Sequence, residues 1–237
     1  MTTQGDSLGG VLALLQLADS QFPAGGFAHS YGLEQLAREG HIRDAAGVEA
    51  FVRSVITQQV ATSDARAAGA AARARTLEAA CAIDAALYAT KAADELRQAS
   101  TTIGRRLLEE VVAHPEADGP LLARYLEAVR GGASPGTHAV AFGVAGAALG
   151  VGPEAVAGAL LLGTASAILS AAMRLLPVSH RDVQGVLHRL RPAIAALAID
   201  AAASIDGQAS PRLLAFHPLQ EIASMRHRAA SVRLFAS

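Results

Sequence analysis

Residues 155–173 read AVAGALLLGTASAILSAAM, nineteen consecutive residues without a charge between Glu154 and Arg174. The fold turns on whether this run lies in lipid or in protein. Its length is at the threshold of a membrane span, for which about 20 apolar residues are needed. Its composition points the other way. Seven of the nineteen residues are Ala, two Gly, two Ser and one Thr, so the run is weakly hydrophobic for its length. No Lys/Arg cluster flanks it, and the chain has no Trp to form an interfacial belt. The large apolar residues Val156, Leu160, Leu161, Leu162, Ile168, Leu169 and Met173 point around the whole helix, the pattern of burial on every side. The expectation is a core helix in a soluble protein; a membrane span is the alternative that packing must decide.

Outward from this run, helical spacing recurs nearly everywhere. Asp44 can cap a helix whose apolar positions Val48, Phe51, Val52, Val55, Ile56 and Val60 follow i, i+3/i+4 steps, with Glu49 and Arg53 paired on its outer face. Leu96, Ala99, Ile103, Leu107 and Val111 form a second stripe, Leu121, Leu122, Tyr125, Leu126 and Val129 a third. Val183, Val186, Leu187 and Leu190 form a fourth, which meets Pro192, where a helix should bend or break. No alternating strand pattern extends far. Gly and Pro punctuate the chain at regular points, including Pro23–Gly26, Pro115, Gly131–Pro135, Gly152-Pro153, Pro177, Gly207–Pro211 and Pro218. The predicted architecture is all-α: a single-domain bundle over 1–237 of about eight to ten helices, with a buried central helical hairpin at 139–176. The N-terminus, about 1–7, should be flexible, and about 218–237 forms a C-terminal tail. Gly143, Ala147 and Gly150 on the first central helix, with Gly158 and Ala165 on the second, should let backbones approach closely.

Composition excludes several functions. The 237 residues carry a net charge of −1, so no basic excess is available for nucleic acid. Nineteen of the twenty basic residues are Arg, and Lys91 is the sole lysine. The single cysteine, Cys81, rules out an intramolecular disulfide and any multi-cysteine zinc site, and its apolar setting reads as an inert thiol. No basic segment precedes VLALLQLA, and Asp6 stands before it, so a secretory leader is not expected and the default location is cytoplasmic.

The segment FPAGGFAHSYGLE at 22–34 tests the case for chemistry. Ala28-His29-Ser30-Tyr31-Gly32 is one residue from the G-x-S-x-G of serine hydrolases. A nucleophile elbow needs a strand leading into the serine inside an α/β sheet, and nothing here supplies one. Ser30 or His29 instead reads as the start of a helix, with Glu34 in its first turn favourable to the dipole. The eight histidines (His29, His41, His114, His138, His180, His188, His217 and His227) show no H-x-x-x-H or H-E-x-x-H spacing, and no P-loop motif exists. We therefore expect no catalytic residues, no cofactor and no metal site.

What remains are loops and a chain end that combine aromatics, Gly, Pro and Arg. The C-terminus FHPLQEIASMRHRAASVRLFAS keeps Leu219, Ile222, Met225, Val232, Leu234 and Phe235 beside Arg226, Arg228 and Arg233. Apolar anchors with arginines fit a partner-binding segment; a last helix docked on its own core is the alternative.

Five stretches, in order, carry a resemblance over nearly the whole chain: LLQLADSQFPAGGFAHSYGLEQ, ADELRQASTTIGRRLL, THAVAFGVAGAALG, MRLLPVSHRDVQ and FHPLQEIASMRHRAASVRLFAS. The sequence resembles UreF, the urease accessory proteins. The resemblance implies an all-helical, cytoplasmic adaptor without catalytic activity of its own. It implies a homodimer whose partners are UreD (UreH in some organisms), the GTPase UreG and apo-urease, supporting nickel insertion, with regulation of the GTPase and, in some members, part of an internal nickel passage. Carried over by position, it implies partner-binding roles for Phe27, His29, Ser30, Tyr31, Gly32 and Glu34 in the N-terminal signature. Arg174, Pro177, Asp182 and Gln184 match the loop after the central helix, and Glu221, His227, Arg233, Leu234 and Phe235 the tail that docks onto UreD. Arg174 is also the candidate for a second role, an arginine reaching the phosphates bound by UreG.

The chain departs from the family in two places. The family commonly reads P-L-G-Q-x-D-G-Q after the central helix; here it is Pro177-Val178-Ser179-His180-Arg181-Asp182-Val183-Gln184, which should be stiffer. The tail commonly has His-Glu; here Arg228 follows His227, a reversed charge. The adaptor reading predicts that removing 226–237 leaves the fold intact and abolishes binding to UreD.

Overall fold

Eleven α-helices and one π-helical turn account for the regular structure, with no β-strand among the described residues. They are α1 (Leu8–Leu17), α2 (Leu33–Arg38), α3 (Ala45–Val55), α4 (Asp64–Arg73), α5 (Leu77–Thr90), α6 (Asp94–Val112), α7 (Pro120–Arg130), α8 (His138–Ala148), α9 (Pro153–Leu175), α10 (His180–Ala203) and α11 (Pro218–Arg228), with the π turn at Ile56–Val60. The computed structural model describes residues 8–19, 21–26, 29–114, 117, 119–203, 212–215, 217–228 and 234–235. The segment 1–7, expected to be flexible, lies outside them.

The uncharged run is the core helix α9. Of its most apolar 18-residue window, 61% is buried, and α2, α3, α4, α8 and α10 pack around it. Burial is nearly all-round, as the apolar pattern predicts; Leu162, 43% exposed, marks the strip left open. Helices α8 and α9 form the expected central hairpin. A third central helix went unread in the sequence. Seven of the ten residues of α4 (DARAAGAAAR) are buried, all of them Ala or Gly. Its alanines give almost no hydrophobic signal, yet they let α4 lie against α8, α9 and α10 at once.

Two apolar clusters result. One gathers α2, α3, α10 and the later part of α9 around Ile168, Leu169 and Leu190. The other gathers α5, α6, α7 and α8 around Leu107, Leu108 and Tyr125. Both α4 and α9 contribute to each: Ala65 and Leu161 to the first, Ala68 and Leu160 to the second.

Local chemistry explains the boundaries. Asp44 caps α3 by accepting the Gly47 N–H at 2.8 Å, as its sequence context predicts. The eleven helices exceed the eight to ten expected because two boundaries contain neither Gly nor Pro. Thr76 starts α5, accepting the Ala79 N–H at 3.2 Å, and Lys91 ends it in extended conformation. At Pro192, where a bend or a break is expected, the helix does not break: α10 is one helix from 180 to 203. Proline removes one backbone hydrogen bond there; Leu190, Ile194, Ala198 and Ala201 pack into the core across that site and hold the helix together.

Asp84 of α5 positions the start of α8. Fully buried, its carboxylate accepts from Ser134 Oγ at 2.6 Å, Gly136 N at 2.6 Å, Thr137 N at 2.9 Å and Thr137 Oγ1 at 2.5 Å. A buried carboxylate demands such donors. They fix the turn that leads into His138, whose own N–H donates to Ser100 Oγ of α6 at 3.1 Å.

The small-residue expectation holds at one glycine and not at two others. A Cβ on Gly143 would collide with the Ala68 carbonyl and come within 2.8 Å of Ala71 Cβ, so α8 and α4 touch there through their backbones. Gly158 meets only Ala198 Cβ, at an ordinary 3.5 Å, and Gly150 lies beyond the end of α8. Gly143→Ala should therefore cost about 1–3 kcal/mol by overpacking, read as a lowered urea midpoint. Gly158→Ala should be neutral or stabilise by up to about 1 kcal/mol. Equal effects at the two sites would refute the close backbone contact.

Candidate functional site

The segment 29–34 faces two ways. Tyr31, at φ 54°, is the one non-glycine residue with positive φ among the described residues, and Gly32 follows at φ 86°. This pair of left-handed residues reverses the chain between Ser30 and α2. Ser30 is fully buried; its carbonyl accepts the Leu33 N–H at 3.0 Å and its Oγ accepts the Glu34 N–H at 3.4 Å. The N-cap of α2 is Gly32 and not Ser30 or His29; Ser30 stands two residues ahead and supports the first turn from there, and among the described residues no strand leads into it.

On one side, His29 and Tyr31 line a cavity of about 50 Å³ together with Asp64, Lys91, His138 and Thr164. A second cavity, of about 60 Å³, shares Tyr31, His138 and Thr164 and runs on toward Leu17 and Phe22. Lys91 Nζ and Asp64 Oδ1 pair across the first at 2.8 Å. Burial lowers the pKa of His29 to about 4 and does the same for His138. Burial, reinforced by the Asp64 charge, raises Tyr31 to about 12. At neutral pH the lining thus holds two uncharged imidazoles, a phenol and one ion pair. Gln59 and Gln220, also in the lining, each keep a buried side-chain oxygen without a protein partner. Such a wall offers acceptors to water-sized donors. Among the described residues, no three His, Cys, Asp or Glu side chains converge to hold a metal ion.

On the other side, Glu34 is the centre of a clasp. Its carboxylate, 2% exposed, takes Arg38 Nη2 at 2.9 Å and His227 Nε2 at 3.0 Å. It also accepts the backbone N–H groups of Leu234 at 3.0 Å and Phe235 at 3.1 Å. His227 Nδ1 lies 3.1 Å from Glu95 Oε1 of α6. His227 thus bridges the two carboxylates, one ring nitrogen facing each. Burial pushes the Glu34 pKa up, but the donors from Leu234, His227 and Phe235 outweigh it and hold the group below its ordinary value. Gly32 suits the close approach of α11: a Cβ there would sit tightly, 3.1 Å from Ala223 Cβ and 3.2 Å from the Gln220 carbonyl, and would be strained at φ 86°.

The other predicted residues divide between this clasp and the surface. Phe235 is buried, and the Arg174 guanidinium lies over its ring at 5.7 Å. Leu234 is exposed. Glu221 accepts the Ala93 N–H at 2.7 Å. Ser179 and Asp182 form a reciprocal cap that starts α10, Asp182 Oδ2 accepting Ser179 N–H at 2.9 Å and Ser179 Oγ accepting Asp182 N–H at 3.2 Å. Pro177 and Gln184 are exposed beside it. Phe27 and Arg233 lie outside the described residues. Because His227 and Phe235 belong to the interior, removing 226–237 would take three donors from Glu34 and His227 from Glu95, so that truncation does not separate folding from binding. Sequence reading missed Glu95, Asp64, Lys91, Gln59 and His138 as companions of the signature; only the uniqueness of Lys91 set one of them apart.

Comparison with known proteins gives the family of the chain. The family model UreF matches residues 42–191. The chain is 36% identical over 233 residues to the urease accessory protein UreF 2 of Brucella canis, covering 97% of this chain and 93% of that protein. It is 35% identical over 233 residues to urease accessory protein UreF of Paenarthrobacter aurescens, covering 95% and 97%. Against urease accessory protein UreF of Photorhabdus laumondii it is 31% identical over 231 residues, covering 96% and 98%.

The chain belongs to the UreF family of urease accessory proteins. The family model begins after the signature and ends before α11, so the loop 29–34 and α11 lie in the parts that only the full-length UreF relatives span, while Glu95 lies within the match.

The neutral histidines set a pH dependence. Their folded pKa values lie below the ordinary 6.5, so the unfolded chain takes up protons first as pH falls. Stability should be full above about pH 6.5 and decline from there toward pH 4. His138→Gln should flatten that decline by about one proton in urea titrations; an unchanged slope refutes the neutral burial. Below 4.5 the clasp contribution should follow, lost as pH falls through the lowered Glu34 pKa.

Proposed function

We propose that this chain is a non-catalytic adaptor in urease maturation, which joins UreD/UreH and the GTPase UreG to apo-urease while nickel is inserted, and which works as a homodimer in the cytoplasm. Family membership supports the accessory role. One observation supports the adaptor: α11 is built inside out. Its inward face is polar or small, with Gln220, Ala223, Ser224 and His227 all at or below 2% exposure. Its outward face carries Leu219, Ile222 and Met225, about half exposed, followed by Leu234 at 68%. A solitary surface helix normally does the reverse. An apolar stripe held rigidly outward fits the helix face a partner covers. Arg226, paired with Glu39 at 3.3 Å, supplies the polar rim. We read UreD/UreH as the occupant of this face. Arg174, stacked on Phe235, acts in this reading as an anchor of the tail and not as a residue that reaches into the GTPase.

The test separates binding from folding by leaving His227 and Glu34 in place. Ile222→Glu with Met225→Glu should keep helix content and melting temperature within a few degrees of the parent. Co-purification with UreD should be lost, and with it urease activation in cells. Retained co-purification by the folded double variant would sink the assignment of this face.

A further inference from the structure

We propose that α11 is a lid on the buried cavity that holds Lys91, Asp64, His29 and His138, and that the Glu34–His227–Glu95 cluster is the latch that keeps it shut. The inference goes beyond the adaptor role, because it concerns access to the interior of this chain and not what sits on its surface.

Three contacts place α11 over the cavity. Gln220, on its inward face, is part of the lining. Glu221 accepts the Ala93 N–H at 2.7 Å, two residues from Lys91. Ala223 and the Gln220 carbonyl rest on Gly32, immediately after the cavity residue Tyr31. The root of the lid is pinned ahead of it. Leu214 N–H donates to the Thr62 carbonyl at 2.9 Å, Thr62 Oγ1 donates to the Leu214 carbonyl at 2.5 Å, and Ser54 Oγ lies 2.7 Å from His217 Nε2.

The seat of α11 is not a greasy one. Its inward face buries Gln220 and Ser224, each with a side-chain oxygen that has no protein partner. Small and polar groups contribute little hydrophobic adhesion, so the grip falls on the charge cluster at the far end. There His227 lies between Glu34 and Glu95 at 3.0 and 3.1 Å. Such a cluster holds firmly when complete and loosens when one partner is removed, because the buried groups that remain lose one of the partners their burial requires. A helix rooted at one end, latched by charge at the other and weakly seated between them opens as a unit.

Lys91 reports the opening. It is the sole lysine in the chain, and its side chain is 9% exposed. The full-length protein is treated with an amine acetylating reagent at one fixed pH, and Lys91 is followed by peptide mass spectrometry. Hydrogen exchange of α11 and of the α8–α9 core is read in parallel. In the parent, Lys91 should react slowly. Glu34→Gln, which weakens the latch, should raise its rate at least tenfold and speed exchange in α11, with core exchange unchanged. Gly32→Ala, which wedges the seat without touching a charge, should do the same. Arg105→Ala, at an exposed ion pair with Glu109, should leave the rate alone. Release of α11 with Lys91 still protected would show that the helix is no lid. Lys91 exposure only in step with core exchange would assign it to global unfolding. Protected α11 in both variants would show that the cluster is no latch. Each of these three results overturns the proposal.

Discussion

A carboxylate buried without water must be met by donors, and Glu34 is met from four directions. Its own helix supplies Arg38, α11 supplies His227, and the chain end supplies two backbone N–H groups. Glu95, on the opposite side of His227, imposes the same demand on α6. Neither acid could be accommodated alone at this depth. Their joint requirement fixes where the last helix lies, which way round it lies and how close it comes. The closeness and the left-handed backbone together account for Gly32, since a Cβ there would be crowded against α11 at 3.1 Å and strained at φ 86°. The left-handed turn shared with Gly32 sends Tyr31 into the cavity. One short segment therefore sets both the polar interior and the outer clasp.

The helical frame is what leaves room for that arrangement. In α4 and at Gly143 of α8, small residues bring helices together until backbone meets backbone. Close packing of this sort leaves few voids. The exception lies where the two apolar clusters adjoin: Val60 of one, Ile103 and Leu160 of the other, and the signature loop between them surround the cavity. Polar side chains gather there because no element is apolar enough on that face to close the gap. The Lys91–Asp64 pair and the neutral histidines are the low-cost way of being polar inside: charges are paired and titratable groups give up their charge.

The frame was legible in the sequence to the extent that periodicity carried it. The stripes of α3, α6, α7 and α10 and the hairpin of α8 and α9 come from large apolar residues at helical spacing, a signal that survives without knowledge of neighbours. Helix α4 escaped notice because burial by alanine leaves no such trace. The boundaries at Thr76 and Lys91 escaped because side-chain capping and a single extended residue end helices without Gly or Pro. At Pro192 the rule left bend and break open, and packing across the core is what keeps α10 unbroken. For the site, the loop 29–34 and the tail are conspicuous in composition, but their pairing is not. Glu34 and His227 are 193 positions apart, and no local pattern says that Glu34 will take up a histidine from the last helix. Residues 29–34 were read as one surface, whereas His29 and Tyr31 turn inward and Glu34 serves the clasp.

The orientation of α11 is the point where energetics and function meet. Amphipathicity measures how unlike two faces of a helix are, and it is silent about which face turns inward. By hydrophobicity alone, Leu219, Ile222 and Met225 would be inside. Burying each in full is worth about 1.5–3 kcal/mol relative to exposure, so leaving all three half exposed forfeits several kcal/mol, a large share of a typical domain's stability of about 5–15 kcal/mol. The polar face can win that contest only through bonds that the apolar face could not make. His227 makes them: it answers two carboxylates at once, and turning the helix over would take that shared partner from both. The forfeited burial is then not lost to the molecule but deferred. It is recovered whenever another apolar surface covers the stripe, so the same cluster that spoils the helix as a core element keeps it prepared as an interface.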